Sequence, residues 1–377
     1  MRCARGGLET EFLLRFQQFT SPVMAKGVED TALYCFNRLI GLNEVGFAPD
    51  LDGMSLEEFH ERLRRRQAEH PFTMNTLSTH DIKRCEDVRA RLAVLTEIPG
   101  RWKSALLRWS RMNEPFKTAK YPDRNTEYFL YQTLIGAWPI DVRRLLPYME
   151  KAAREARQHT SWTQQNREFE DALRKFIERV LESQAFIADL ESFVGQVLRP
   201  RRINSLTQTL IRYTAPGVPD TYQGSELWDL RLVDPDNRGP VDYAVRSAML
   251  EQLERGIDVA EIVRRMDGGM PKLWVAYQAL LLRRAHPEWF GAEAEYTPVY
   301  AEGSKQEHAI AYLRAGRVAT VAPRWNVKLG AGWSATSLSL APGRWKNELT
   351  GEAIPGGAIR LQQLLTHFPV ALLTREA

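Results

Sequence analysis

The chain has 377 residues, 44% hydrophobic and 26% charged, and 51 Lys+Arg against 47 Asp+Glu leave a net charge of +4. That balance suits two or three globular domains and excludes a disordered or collagen-like chain. The small, mixed charge argues against a dedicated nucleic-acid or membrane-surface binder, and no apolar run approaches the roughly 18 residues of a membrane span.

At the start, Met1-Arg2-Cys3-Ala4-Arg5-Gly6-Gly7 carries charge with no apolar run behind it, so no secretory signal is expected. Cys3, Cys35 and Cys85 are odd in number and far apart. They suggest neither a disulfide framework nor a metal site, and a cytoplasmic protein without metal or cofactor is expected. Ser55-Leu56-Glu57-Glu58 reads as a capping box, with Leu56, Phe59 and Leu63 on one face of the helix that follows. Arg62, Arg64, Arg65 and Arg66 on that helix read as a solvated face. The short run Thr73–Thr79 reads as a strand that leads into His80-Asp81.

Ile82, Cys85, Val88, Leu92 and Leu95 then recur at helical steps, with Asp87 and Arg91 placed to pair on the outside. From about 97 to 212 the pattern is almost all helix. Phe169, Leu173, Phe176, Ile177, Val180 and Leu181 form the clearest stripe, and Pro200 is expected to end a helix after Leu198. Val218–Tyr222 reads as a short strand and Leu273–Arg284 as a helix. Strands follow around Tyr296–Tyr300, Ala309–Leu313, Val318–Val321, Ser337–Leu340 and Val370–Leu373, with turns at Ala315-Gly316 and Pro342-Gly343. A small antiparallel β-sandwich is the expected form of this tail.

Three segments could carry chemistry. In the first, a short strand runs into His80-Asp81, followed by Lys83, Arg84, Glu86 and Asp87. A carboxylate at a strand end can stabilise a developing oxocarbenium ion, and a histidine beside it can bond a sugar hydroxyl. Equally, Asp81 could merely cap the next helix. In the second, Lys26-Gly27-Val28-Glu29-Asp30-Thr31 crowds charge around a glycine, as a polar loop over a pocket or an ordinary helix cap at Asp30 or Thr31. The third, Pro216–Trp228, is a constrained strand and loop. The turn Leu232–Arg238 beside it reads as structural.

At these segments the sequence resembles the maltooligosyltrehalose synthases, a branch of the α-amylase superfamily (glycoside hydrolase family 13). The matching stretches are PVMAKGVEDTALY, LNEVG, STHDIKRCEDVRARLAVL and PGVPDTYQGSELWDLRLVDPDNRGPVDY. Departures are Ile82 where threonine is expected, Cys85 where a small polar residue is expected, and Cys35 in place of arginine.

The resemblance implies an α/β fold: the C-terminal portion of a (β/α)8 TIM barrel with a helical insertion, followed by the β-sandwich. It divides the chain into a barrel portion at 1–96, a helical insertion at 97–205, the end of the barrel at 206–288 and a β-domain at 289–377. It implies an intramolecular transglucosylation that turns the reducing-end α-1,4 bond of a maltooligosaccharide into an α,α-1,1 bond. Asp81 would be the catalytic carboxylate. His80, Lys83 and Lys26 would bind substrate, with Glu29, Asp30, Arg84 and Glu86 as weaker candidates that structural ion pairing explains equally well. The nucleophile and the acid/base residue of such an enzyme should lie before the lysine loop, and no matching segment precedes it here. The expected partners are therefore a maltooligosaccharide and an N-terminal half of the barrel. A hydrolase of the same superfamily and a non-catalytic glycan-binding remnant are the alternatives.

Overall fold

A computed structural model describes residues 7–46 and 53–376. The chain divides into two compact units. One comprises residues 1–51, 81–83 and 100–194, and the other 52–80, 84–99 and 195–377.

The first unit is helical. Helix α1, Leu8–Met24, leads into a π-helical turn, Ala25–Ala32, and four further helices follow at Pro99–Asn113, Arg124–Ala137, Val142–Ala156 and Arg167–Glu182. The expected stripe on the last of these is buried at Phe169, Leu173, Phe176, Ile177 and Val180. Trp109 is fully buried, with the rings of Trp102, Phe186 and Phe193 within 5.8 Å of its own. The segment 33–44 holds only a short helical turn at Leu33–Cys35 and a 3-10 turn at Ile40–Leu42, so much of its backbone needs partners from side chains. Gln132 supplies two, accepting from Ile40 N at 3.0 Å and donating to Asn37 O at 2.8 Å. Asn43 bonds the Leu33 and Phe36 carbonyls.

In the second unit, the capping box forms as expected: Ser55 and Glu58 bond reciprocally at the start of the helix Leu56–Glu69. Strand β1, Met74–Asn75, pairs in parallel with β2, Val218–Pro219. Both are shorter than the sequence suggests. Gly217 is required at their junction, because a Cβ there would lie 2.4 Å from the Thr73 carbonyl oxygen and φ is +127°.

Three expectations fail at helices. The helix expected from Ile82 begins only at Glu86, with Cys85 as its N-cap. Asp87 and Arg91 do not pair on an outer face, since both are buried, as are Glu86, Val88, Ala90 and Leu92. Periodicity cannot separate an amphipathic helix from one buried all round when the buried side carries charge. Nor does Pro200 end its helix, which runs from Gln184 to Thr214. A proline inside a helix costs about 3 kcal/mol. Burial of Val197, Leu206 and Leu210 in the second unit offsets that, at about 1.5–3 kcal/mol per large apolar side chain.

The tail forms one antiparallel sheet, not two facing sheets. Its order is β3 (Tyr296–Val299), β5 (Ala309–Arg314), β6 (Val318–Pro323), β9 (Ala371–Arg375), β7 (Ser337–Asn347), β4 (Ala301–Glu302), with β8 (Ala353–Arg360) on β7. Alternate residues of β6 and β9 serve two cores. Val318, Ala322 and Leu372 join Leu206, Leu210, Val275 and Ala279 from the helices of the same unit. Ala319, Val321, Ala371 and Leu373 join Leu338, Trp345, Ile359 and Leu361. With helices covering one face and its own curled strands the other, this sheet needs no second sheet. Pro342-Gly343 does not separate strands but lies inside β7, where the pairing with β8 shifts register.

Candidate active site

In the first unit the π-helical turn brings its charged residues to one place. Thr31 Oγ1 donates to the Lys26 carbonyl at 2.8 Å, a five-residue span that suits the wider π turn. Lys26 Nζ lies 2.5 Å from Asp30 Oδ2, and Lys83 Nζ lies 2.9 Å from Asp30 Oδ1. One carboxylate therefore bridges two ammonium groups. Their exposures differ sharply: the Lys26 side chain is 69% accessible and that of Lys83 only 4%. Lys83 also sits 5.6 Å from the centre of the buried Tyr34 ring. Its backbone is fixed too, donating to Glu44 Oε1 at 2.7 Å.

The electrostatics follow from this arrangement. Burial raises the Asp30 pKa, but the bonds from Lys26 and Lys83 outweigh it and hold the carboxyl below the ordinary value. The bond to Asp30 raises the Lys26 pKa, and the charges of Glu155 and Asp81 add to the rise. Asp81 is thus in electrostatic reach of Lys26, and it is exposed. It does not cap the helix that follows, whose N-cap is Cys85. Asp30 and Thr31 likewise lie inside the π turn and start no helix. Glu29 is only weakly engaged, 3.4 Å from the Gly46 amide.

His80 belongs to the second unit and is exposed. Its carbonyl accepts from Asn237 Nδ2 at 3.1 Å, and Asn237 also reaches the Thr79 carbonyl at 3.3 Å. Asn237 is fully buried, and its own carbonyl accepts from Tyr222 Oη at 3.1 Å. Cys85 N donates to the Arg231 carbonyl, and Glu86 N to Ser78 Oγ. The turn Leu232–Arg238 therefore has the structural role expected of it, and what it holds is the backbone of the His80 loop.

Arg84 and Glu86 are buried. Glu86 meets Lys272 at 2.7 Å and Arg212 at 3.3 Å, while Asp87 meets Lys272 at 2.8 Å and accepts from Asp229 N at 2.6 Å. This is a closed ion network inside the second unit, and it leaves Glu86 no opening toward a ligand. Sequence reasoning missed Tyr34, Glu44 and Asn237 as parts of the arrangement. The signal for Glu44 was present in Leu42-Asn43-Glu44-Val45-Gly46, but nothing local shows that a glutamate there binds a backbone amide 39 residues away.

Over 99% of its length the chain is 40% identical to a putative maltooligosyl trehalose synthase of Mycobacterium tuberculosis, of which it covers 46%. The maltooligosyltrehalose synthase of Arthrobacter ramosus matches 97% of the chain with a TM-score of 0.89 and 39% identity, again over 46% of that protein. A hypothetical maltooligosyl trehalose synthase of Sulfolobus tokodaii matches 96% of the chain at a TM-score of 0.81 and 29% identity, over 47% of its length. No family model matches. The chain is thus similar to maltooligosyltrehalose synthases in sequence and fold, and it spans about half the length of the relatives it matches, their C-terminal half.

Proposed function

We propose that this chain supplies the C-terminal half of a maltooligosyltrehalose synthase active site. The observation that carries the proposal is the 40% identity over 99% of the chain, together with an exposed lysine and an exposed carboxylate brought into electrostatic reach of each other. The parallel pairing of β1 with β2 supports a barrel portion, since parallel neighbours are what a (β/α)8 sheet requires.

In this reading the reaction is a retaining double displacement. A carboxylate attacks the anomeric carbon, an acid protonates the departing glucose, and the two carboxyls stand about 5 Å apart. Both would come from the other half of the protein. Asp81 would offset the positive charge that develops on the sugar ring, and His80 would bond a hydroxyl beside it. The released glucose must be retained, turned and returned through its anomeric hydroxyl, with water held off. Lys26, with three donors and an exposed ammonium, is suited to hold it. Lys83 has a different part. Buried and committed to Asp30, it fixes the bridging carboxylate that orients Lys26.

A plain hydrolase has no need to hold the leaving glucose, so the exposed lysine favours the isomerase. A non-catalytic, sugar-binding polypeptide is the second reading, and the span of 46% of the relative's length is what favours it.

The test is an assay on maltopentaose with this chain alone, and with the N-terminal half of the Arthrobacter ramosus enzyme added as a separate chain. Loss of reducing ends without free glucose, seen only in the mixture, is the expected result. Rising reducing power would indicate hydrolysis and overturn the proposal, as would synthase product from this chain alone.

A further inference from the structure

Trp162 is 49% exposed, on the loop that joins the helices Val142–Ala156 and Arg167–Glu182. Unlike a loose surface indole, it is held in place. The Arg154 guanidinium lies 5.0 Å from its ring centre, where the ring quadrupole attracts a cation. Arg154 is itself fixed, by two bonds of 2.9 Å to Glu170 and by Glu150 at 2.7 Å. Trp162 Nε1 donates to Glu155 Oε1 at 3.0 Å, so the ring cannot turn without breaking that bond. The loop is cross-linked as well: Ser161 N donates to Gln164 O at 3.0 Å, and Gln164 N to Ser161 Oγ at 2.9 Å. Arg154 occupies one side of the indole, and half of the side chain still faces solvent. Glu155 leads from there back to the lysine loop. Its helix, Val142–Ala156, packs on the π turn Ala25–Ala32, and Cys35 Sγ donates to the Ala156 carbonyl at 3.2 Å. Glu155, like Asp81, is in electrostatic reach of Lys26. All of these residues belong to the first unit.

We propose that Trp162 is a stacking platform for the glucose unit that Lys26 holds, with Glu155 accepting from its hydroxyls. This rests on the proposed function, which gives Lys26 that glucose. A pyranose presents C–H groups on its faces and hydroxyls around its rim. The residues here match both, with a flat apolar ring, a carboxylate acceptor and an ammonium donor. Carboxylates at Glu155 and Asp81 disfavour an anionic ligand in the same place. Stacking also supplies what hydroxyl bonds do not. It is non-directional, so a freed glucose can rotate against the indole without losing contact, whereas fixed hydrogen bonds resist the turn. Covering one face of the sugar keeps water from that side while the ring reorients. The fixed indole has little freedom left to lose when the sugar arrives.

The test labels the full chain with 5-fluorotryptophan and assigns the Trp162 signal, among ten tryptophans, by its loss in Trp162→Phe. Fluorine NMR follows the addition of maltopentaose to the chain alone and to its mixture with the N-terminal half of the Arthrobacter ramosus enzyme. The Trp162 signal should shift, that of Trp325 on the other unit should not, and sorbitol at the same concentration should move neither. Lys26→Ala should weaken the shift, because the two side chains hold one sugar. In the mixture, Trp162→Ala should weaken maltopentaose binding about 10-fold, as loss of the apolar area under one indole face implies, and raise the share of free glucose. Trp162→Phe keeps an aromatic face and should restore most of both. Thermal unfolding checks the fold, and if Trp162→Ala melts early, Trp162→Leu takes its place. A Trp162 signal silent in both samples overturns the proposal. So does a shift that sorbitol reproduces or that Lys26→Ala leaves intact, or an active mixture whose glucose share ignores Trp162→Ala. The two readings separate cleanly. A Lys26-dependent shift in a mixture that makes no maltooligosyl trehalose upholds the platform and sinks the proposed function. Product formed while the signal stays silent does the reverse.

Discussion

Asp30 Oδ1 lies 2.9 Å from the ammonium of Lys83, a side chain only 4% accessible. The same carboxylate takes the exposed Lys26 at 2.5 Å through Oδ2. A nearly buried charge is thus matched by a half-buried one, and the surplus donors face outward on a second lysine.

Removing Asp30 should therefore destabilise the first unit. Asp30→Asn leaves the Lys83 ammonium buried without its counter-charge, a loss of about 3 kcal/mol for a pair of this kind. Lys83→Met added to Asp30→Asn should recover much of it, since an apolar side chain suits the site beside Tyr34. Urea unfolding of the three chains measures this. The pH dependence has a definite sign. A carboxyl with a lowered pKa contributes stability above its ordinary value of 3.8 and loses it as pH falls through the folded value. The difference between parent and Asp30→Asn should shrink in acid.

Lys26 and Asp81 should behave differently from Lys83. The Lys26 pair is exposed and worth at most about 1 kcal/mol, so Lys26→Ala should leave the unfolding midpoint almost unmoved. In the two-chain assay it should raise the share of free glucose. Asp81→Asn should instead lower turnover by roughly 100-fold or more, as loss of a transition-state charge does. Equal, mild effects of the two substitutions on turnover and on free glucose would contradict the assigned roles.

Lys272 should be indispensable to the second unit. It is wholly buried between Glu86 at 2.7 Å and Asp87 at 2.8 Å. Lys272→Met removes the ammonium paired with Asp87 and leaves Glu86 only Arg212 at 3.3 Å, and removing one partner of a buried pair costs about 3–5 kcal/mol. Circular dichroism should show early melting, and a variant as stable as the parent would show that the network carries no such weight.

His60 gives the second unit a pH dependence of its own. Its Nδ1 sits 2.7 Å from Tyr296 Oη in a buried position, and burial pushes its pKa down to about 4. The folded state thus holds the imidazole neutral, whereas the unfolded chain protonates it near 6.5. Stability from this site is complete above 6.5, falls as pH drops toward 4, and levels off below. His60→Gln, which keeps a hydrogen-bonding side chain but does not titrate, should flatten that slope in thermal melts taken from pH 7 to 4.

Local pattern determined a good deal of this protein. The capping box at Ser55, the buried stripe from Phe169 to Val180, five of the tail strands and the existence of β1 and β2 all follow from spacing, turn chemistry and cap residues, which act over a few positions; that β1 pairs with β2, over 140 residues away, does not. The likeness to the synthases was legible in motifs for the same reason, since each occupies one short segment. What the sequence could not show is where long-range pairing overrides local preference. Pro200 stays helical because Val197, Leu206 and Leu210 are buried about it. Asp87 and Arg91 turn inward because Lys272 and Arg201, each over a hundred residues away, help compensate their charge or share their burial. Strand β8 is not legible in the sequence because Pro355-Gly356-Gly357 reads as loop, while its pairing with β7 is set by register alone. Lys26 and Lys83 look alike in sequence. Only the fold, by closing Tyr34 and Glu44 around one and leaving the other open, separates the lysine that holds the carboxylate from the lysine free to meet a sugar.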